Sequence, residues 1–148
     1  MKRFILSVLM VLVFALPALG ANTVTPVVTF KDGMALITVS WIDDATNGIT
    51  STAILSAGPA GWIIKALTVP GAVTAPDDNY DIDILDSRGV DLFGAALDNR
   101  SATVPQEAEP TIPYNFYDGL GMNLVIGGQT VDDATGTIYI WIKPVGKR

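Results

Sequence analysis

Carboxylates and aromatic rings are the side chains on which any chemistry of this chain would rest. Its 148 residues include thirteen Asp, two Glu, three Trp and four Tyr, and neither His nor Cys. Without those two types, Ser-His-Asp and Cys-His nucleophiles, imidazole acid–base catalysis and Cys/His zinc sites are closed. What remains is hard-oxygen metal binding, paired-carboxylate hydrolysis and stacking on aromatic faces.

The densest acidic group is Asp77, Asp78, Asp81, Asp83, Asp86 and Asp91. Oxygen ligands suit Ca²⁺, but the spacing lacks the twelve-residue loop with Gly at its sixth position and Glu at its last. Asp is also the residue of turns, and the expectation is turn formers flanking a strand with a solvated outer face. Asp43-Asp44 and Asp132-Asp133 are each followed by Ala-Thr and a Gly-containing turn. Two carboxylates at the right separation hydrolyse glycosides. A cleft joining these two pairs would be needed, and a hydrolase ranks last among the readings. No catalytic residue, metal or cofactor is expected. Arg88 and Arg100 stand among many acids and are expected to form turn or loop ion pairs.

Trp41, Trp62 and Trp141, with Tyr80, Tyr114, Tyr117 and Tyr139, suit either sugar stacking or core packing. The last apolar segment is the most informative. Ile138, Ile140 and Ile142 face one way, and Tyr139 and Trp141 the other. Apolar groups on both faces fit a central strand, or an edge strand covered by another subunit. Tyr139, Trp141 and Trp62 are the expected interaction surface. A homo-oligomer with Tyr139 and Trp141 at its interface is expected.

The elements that must position these groups are strands. Short runs rich in Val, Ile and Thr are bounded by Gly, Pro, Asn and Asp. They cover Val24–Phe30, Met34–Ile42, Ile49–Leu55, Trp62–Val69 and Tyr80–Leu85, with a short strand over Asn115–Tyr117. Met122–Ile126 and Thr137–Lys143 read as a closing hairpin around a loop from Gly127 to Gly136. Pro26 suggests an edge or strand-start position. Val90–Leu97 fits a short strand or one helical turn, and Ser101–Pro113 reads as a long surface loop. About eight strands predict an all-β, antiparallel β-sandwich or jelly-roll-like fold. Its expected core includes Ile37, Val39, Trp41, Ile64, Tyr80, Ile82, Ile84, Val125 and Ile140.

The N-terminus reads as an export signal. Lys2 and Arg3 precede an apolar run from Phe4 to Leu16, Pro17 breaks it, and Ala18-Leu19-Gly20 follows. Cleavage is expected between Gly20 and Ala21, dividing the chain into a signal peptide (1–20) and one domain (21–148). The run is shorter than the roughly 20 residues of a spanning helix, and a lipoprotein anchor would need a Cys after the cut. No stable membrane anchor is therefore expected. The signal holds two of nine bases and no acid, so the remainder carries seven bases against fifteen acids, net −8. That balance disfavours nucleic acid as a partner. The expected location is exported, periplasmic or extracellular.

The runs Gly61-Trp62-Ile63-Ile64-Lys65-Ala66, Thr68-Val69-Pro70-Gly71, Ala75-Pro76-Asp77-Asp78-Asn79-Tyr80-Asp81-Ile82, Gly89-Val90-Asp91-Leu92-Phe93-Gly94 and Leu97-Asp98-Asn99-Arg100 belong together as a pattern, with Gly136-Thr137-Ile138-Tyr139-Ile140. Over less than half of the exported part, the chain resembles a loosely defined family of small β-rich proteins encoded in phage and prophage regions near virion structural genes. The resemblance implies a non-enzymatic structural or interaction protein, virion-associated or engaged with the host surface. An export signal is unlike most capsid and tail proteins, which assemble in the cytoplasm. The alternative is an exported carbohydrate-binding or adhesion module using exposed aromatics. Virion proteins and surface glycan are the corresponding partners.

Overall fold

The computed structural model describes residues 22–44, 48–56, 59–116 and 120–145. The expected signal peptide and its cut at Gly20–Ala21 lie outside them, as does Tyr117. Nine strands appear in the order β1 (Thr23–Lys31), β2 (Met34–Asp44), β3 (Ile49–Leu55), β4 (Gly61–Pro70), β5 (Asp81–Asp86), β6 (Gln106–Ala108), β7 (Asn115–Phe116), β8 (Met122–Gly127) and β9 (Asp132–Pro144). There is no helix among the described residues.

All pairings are antiparallel. The larger, front sheet has the order β1-β2-β9-β4-β6, with β7 also on β4, and the back sheet is β3-β8-β5. The expected all-β sandwich is the observed fold. The β1–β2 turn is Asp32-Gly33, with φ of 52° and 75°. Positive φ at both central residues is the two-residue turn whose twist matches paired strands. Pro26 lies on β1, at an edge of the front sheet, as its missing N–H requires.

The core lies between the sheets. Ala35, Ile37, Val39 and Trp41 of β2 meet Ile138, Ile140 and Ile142 of β9 beside them, and Ile82, Ile84, Met122, Leu124 and Ile126 of the back sheet complete the cluster. Trp41 is paired with Gly136. A Cβ there would fall 2.6 Å from Cε2 of the indole, so the ring lies on the glycine and fills the space a side chain would take. Tyr80 sits 6.0 Å from the Trp41 ring. Burial, partly offset by Arg100, pushes its hydroxyl up to about 12.

Several expectations are corrected. β8 and β9 are not a hairpin: β8 is central in the back sheet and β9 in the front, so their connection crosses the sandwich. β9 also begins earlier than expected, at Asp132. It is a central strand, which removes the edge-strand alternative. Val125 points away from the core, because Met122, Leu124 and Ile126 occupy the inner face of β8. Ile64 is 38% exposed while Ile63 is buried. The register shifts between Ile63 and Lys65, and this bulge turns Ile64 outward. Residues 90–97 form neither strand nor helix. They are turns that bury Leu92, Phe93 and Leu97 and bridge Leu85 through Asp91. The expected loop over Ser101–Pro113 contains β6.

Candidate interaction surface

The outer face of the front sheet holds all three residues expected as the interaction surface, Trp62, Tyr139 and Trp141. Tyr139 and Trp141 alternate with the buried Ile138, Ile140 and Ile142 and therefore point outward. Their ring centroids are 6.2 Å apart at an interplanar angle of 35°. Trp62 pairs with Lys143, and directly opposed residues of an antiparallel pair share a face. Trp62 is 43% exposed. Among the described residues, no third layer of secondary structure covers this face.

Residues that sequence reasoning missed complete the surface. Lys65 is opposite Trp141 and Leu67 opposite Tyr139 on β4; Leu36 and Thr38 take the same positions on β2. Nζ of Lys65 lies 5.0 Å from the Trp141 ring centroid and 2.7 Å from a carboxylate oxygen of Glu107. The cation sits where the ring quadrupole attracts it. An unbroken two-residue period would put Trp62 and Lys65 on opposite faces, and the bulge in β4 puts them on one. A cleft of about 350 Å³ beside Trp141 is lined by Lys31, Asp32, Met34 and Leu36. At the other end of the face, a shallow groove of about 470 Å³ follows Gly136, between Ser40 and Thr137 and the Val69–Ala72 turn.

The aspartates are engaged differently. Asp86 is fully buried at the end of β5. Its carboxylate accepts the amides of Arg88 and Val90 at 2.8 and 3.0 Å, the Tyr114 hydroxyl at 2.6 Å, and Nε and Nη2 of Arg88 at 2.9 and 2.6 Å. Burial opposes its charge, but these hydrogen bonds outweigh burial and hold the carboxyl well below the usual carboxylate range. Burial and the bond to Asp86 raise the Tyr114 hydroxyl. The Arg88 expectation of a turn ion pair is met by this bridge. Arg100 instead donates to the carbonyls of Ala96 and Asp98.

Four other acids of the cluster accept backbone amides, while Asp83 stands on the outer side of β5 among Asp81, Asp91 and Asp98. Asp78 takes Ala102, Asp81 takes Asn99, and Asp91 takes Phe93 and Ala95. Asp77 accepts the amide and hydroxyl of Thr130, while Gln129 accepts the Asp77 amide, tying two loops together. Among the described residues, no three Asp or Glu are grouped as a metal site would require. Asp43-Asp44 and Asp132-Asp133 do become neighbours, since Asp43 pairs with Ala134 and Asp44 with Asp132 across a bulge that holds Asp133 at φ 55°. Asp43 is buried, however, while Asp132 and Asp133 are exposed. A third cleft lies between Ile63, Ile64 and Glu109, Pro110 and Pro113.

No protein-family model, no curated protein and no solved structure matches this chain.

Proposed function

We propose that this chain is an exported, non-enzymatic structural or interaction module of phage or prophage origin, working at a virion or cell surface through the outer face of its front sheet. The observation that supports this reading is the placement of Trp62, Tyr139 and Trp141 on one face of the front sheet, which no third layer of secondary structure covers among the described residues. Large rings on a rigid sheet offer contact area at little entropic cost. The acids offer less to catalysis. Asp86 is held ionised and so cannot act as a general acid near neutral pH, and of the two acid pairs Asp43 is buried while Asp132 and Asp133 are exposed.

Protein is the favoured partner over glycan because of Lys65. Its ammonium lies over the Trp141 ring, tethered to Glu107. A sugar stacking on that ring would have to displace the pair. Among the described residues no cation is stacked on Trp62, and a glycan would be read there first.

Fractionation of the producing host tests the reading. Wild-type protein and a Trp62→Ser, Tyr139→Ser variant are followed by mass spectrometry in purified virions, envelope, periplasm and culture fluid. The expected result is a mature N-terminus at Ala21, with wild type in the virion or envelope fraction and the variant left soluble. An intact Met1 on soluble protein would overturn export. Identical distribution of the two proteins would overturn the assignment of the face.

A further inference from the structure

The contact surface proposed above leaves its occupant open, and the inference here rests on that reading. We infer that the outer face of the front sheet docks on the outer face of the back sheet of a second copy, so that copies stack front to back.

The first observation is that three sheet margins, those at β1, β4 and β5, are blunted or covered, while β3 remains an edge of the back sheet. Lys31 and Met34 flank a two-residue turn and, in that geometry, exchange both hydrogen bonds. Every second residue of β1 does the same, and Pro26 falls in the alternate set whose N–H groups point away from the sheet. The open side of β1 therefore lacks a donor at mid-strand, which blunts it against pairing. On the opposite margin, β4 is covered by β6 and β7, with Ile63 N–H bonded to the Tyr114 carbonyl between them. The free side of β5 is taken by the 90–100 segment, through Leu92 N–H to Ile84 O and Ile82 N–H to Leu97 O. The β3 edge and the two faces are left, and the charges of the faces decide between them.

The second observation is that the two faces differ in charge. Of the five bases among the described residues, Lys31, Lys65 and Lys143 lie on the front face, where Asp32, Glu107 and, against Ile64, Glu109 balance them, so this face is near neutral and carries cations. The back face carries Asp81 and Asp83 on β5, with Asp91 and Asp98 next to them, and no base. The two remaining bases, Arg88 and Arg100, are turned to Asp86 and to backbone carbonyls. The Asp83 carboxyl is raised by burial and then by Asp91, Asp98 and Asp81, as expected of acids without a cation. Val125 lies opposite Asp83 and is half-buried, an apolar spot among the acids for the rings of the front face. Complementary potential orients such a contact and fixes its register. Because the two surfaces differ, the contact is heterologous and does not close on itself as a symmetric pair would.

A mixing experiment on the mature chain, 21–148, decides it. Lys31→Glu with Lys143→Glu blocks the front face, and Asp81→Lys with Asp83→Lys blocks the back. Sedimentation at low salt should show wild type as oligomers that lengthen with concentration. Each variant alone should be monomeric, with association weakened at least about tenfold. An equimolar mixture should form a heterodimer and nothing larger, since one intact front and one intact back remain. Circular dichroism establishes that each variant is folded, and Lys143→Glu with Asp83→Lys as single changes repeats the test if a double variant is not. A back-blocked variant that still dimerises, beside a monomeric front-blocked one, would overturn stacking in favour of a front-to-front pair and leave the contact face standing. A monomeric wild type at tens of micromolar would overturn stacking alone, since the fractionation of the Trp62, Tyr139 variant bears on the face independently. Oligomers unaffected by either variant would overturn stacking and count against the face as well.

Discussion

The front face and the aspartate-rich margin of the back sheet differ in what their side chains already touch. Along the margin, Asp77, Asp78, Asp81, Asp86 and Asp91 accept backbone amides from turns and neighbouring loops. On the front face, Tyr139 and Trp141 lie against each other and stay partly exposed, Trp62 is exposed, and Lys65–Glu107 is the one ion pair among the described residues there. The margin is richer in groups capable of chemistry, yet most of those groups are occupied in holding turns. The face is poorer in such groups and leaves more of them open. Density of reactive residue types is therefore a weaker guide to a site than what remains after local hydrogen bonding is satisfied.

If the margin is structural, its removal must cost stability. Asp86→Ala leaves two amides and the Tyr114 hydroxyl without their acceptor and should lose about 2–4 kcal/mol in urea denaturation. A loss under about 0.5 kcal/mol would break the comparison. The effect has a pH signature. Asp86 is held ionised in the fold, so its stabilisation is complete above the unfolded carboxylate value of about 3.9 and is lost as pH falls through the lower folded value. The gap between wild type and Asp86→Ala should therefore narrow below about pH 4 and stay constant above about pH 5.

Front-face changes should leave the isolated fold nearly intact. Trp62→Ser is expected to shift monomer stability by no more than about 0.5 kcal/mol while changing association. A large loss of stability with unchanged association would make Trp62 a packing residue. Asp83 sharpens the contrast from within the margin, because it shares β5 with Asp86 and titrates the other way. Burial and the surrounding acids raise its carboxyl, so it opposes folding above its folded value and stops doing so as pH falls through it. Asp83→Asn should therefore stabilise the monomer at neutral pH by roughly a few tenths of a kcal/mol, with the gain vanishing in acid. The smallest expected effect is that of Ca²⁺. At millimolar concentration it should leave the melting temperature unchanged, and a clear rise abolished by Asp81→Asn with Asp83→Asn would reassign the margin as a metal site.

What the residues alone determine here is local. The two-residue period places Ile37, Val39 and Trp41 on the inner face of β2 and Ile82 and Ile84 on that of β5, and the structure buries all five. Asp32-Gly33 specifies its turn, and Pro26 specifies an edge. Each follows from backbone geometry within a few positions. The unbroken run Leu124-Val125-Ile126 carries no period that fixes its parity, and Val125, expected in the core, faces out. Tertiary structure decided the rest. It placed β9 between β2 and β4 rather than beside β8, inserted the bulge that puts Lys65 on the face of Trp62, and brought Tyr114 to Asp86 across 28 residues. Choice of strand partner, bulge position and the partner of a buried charge depend on which surfaces meet when two sheets close over one core. No single strand contains that information.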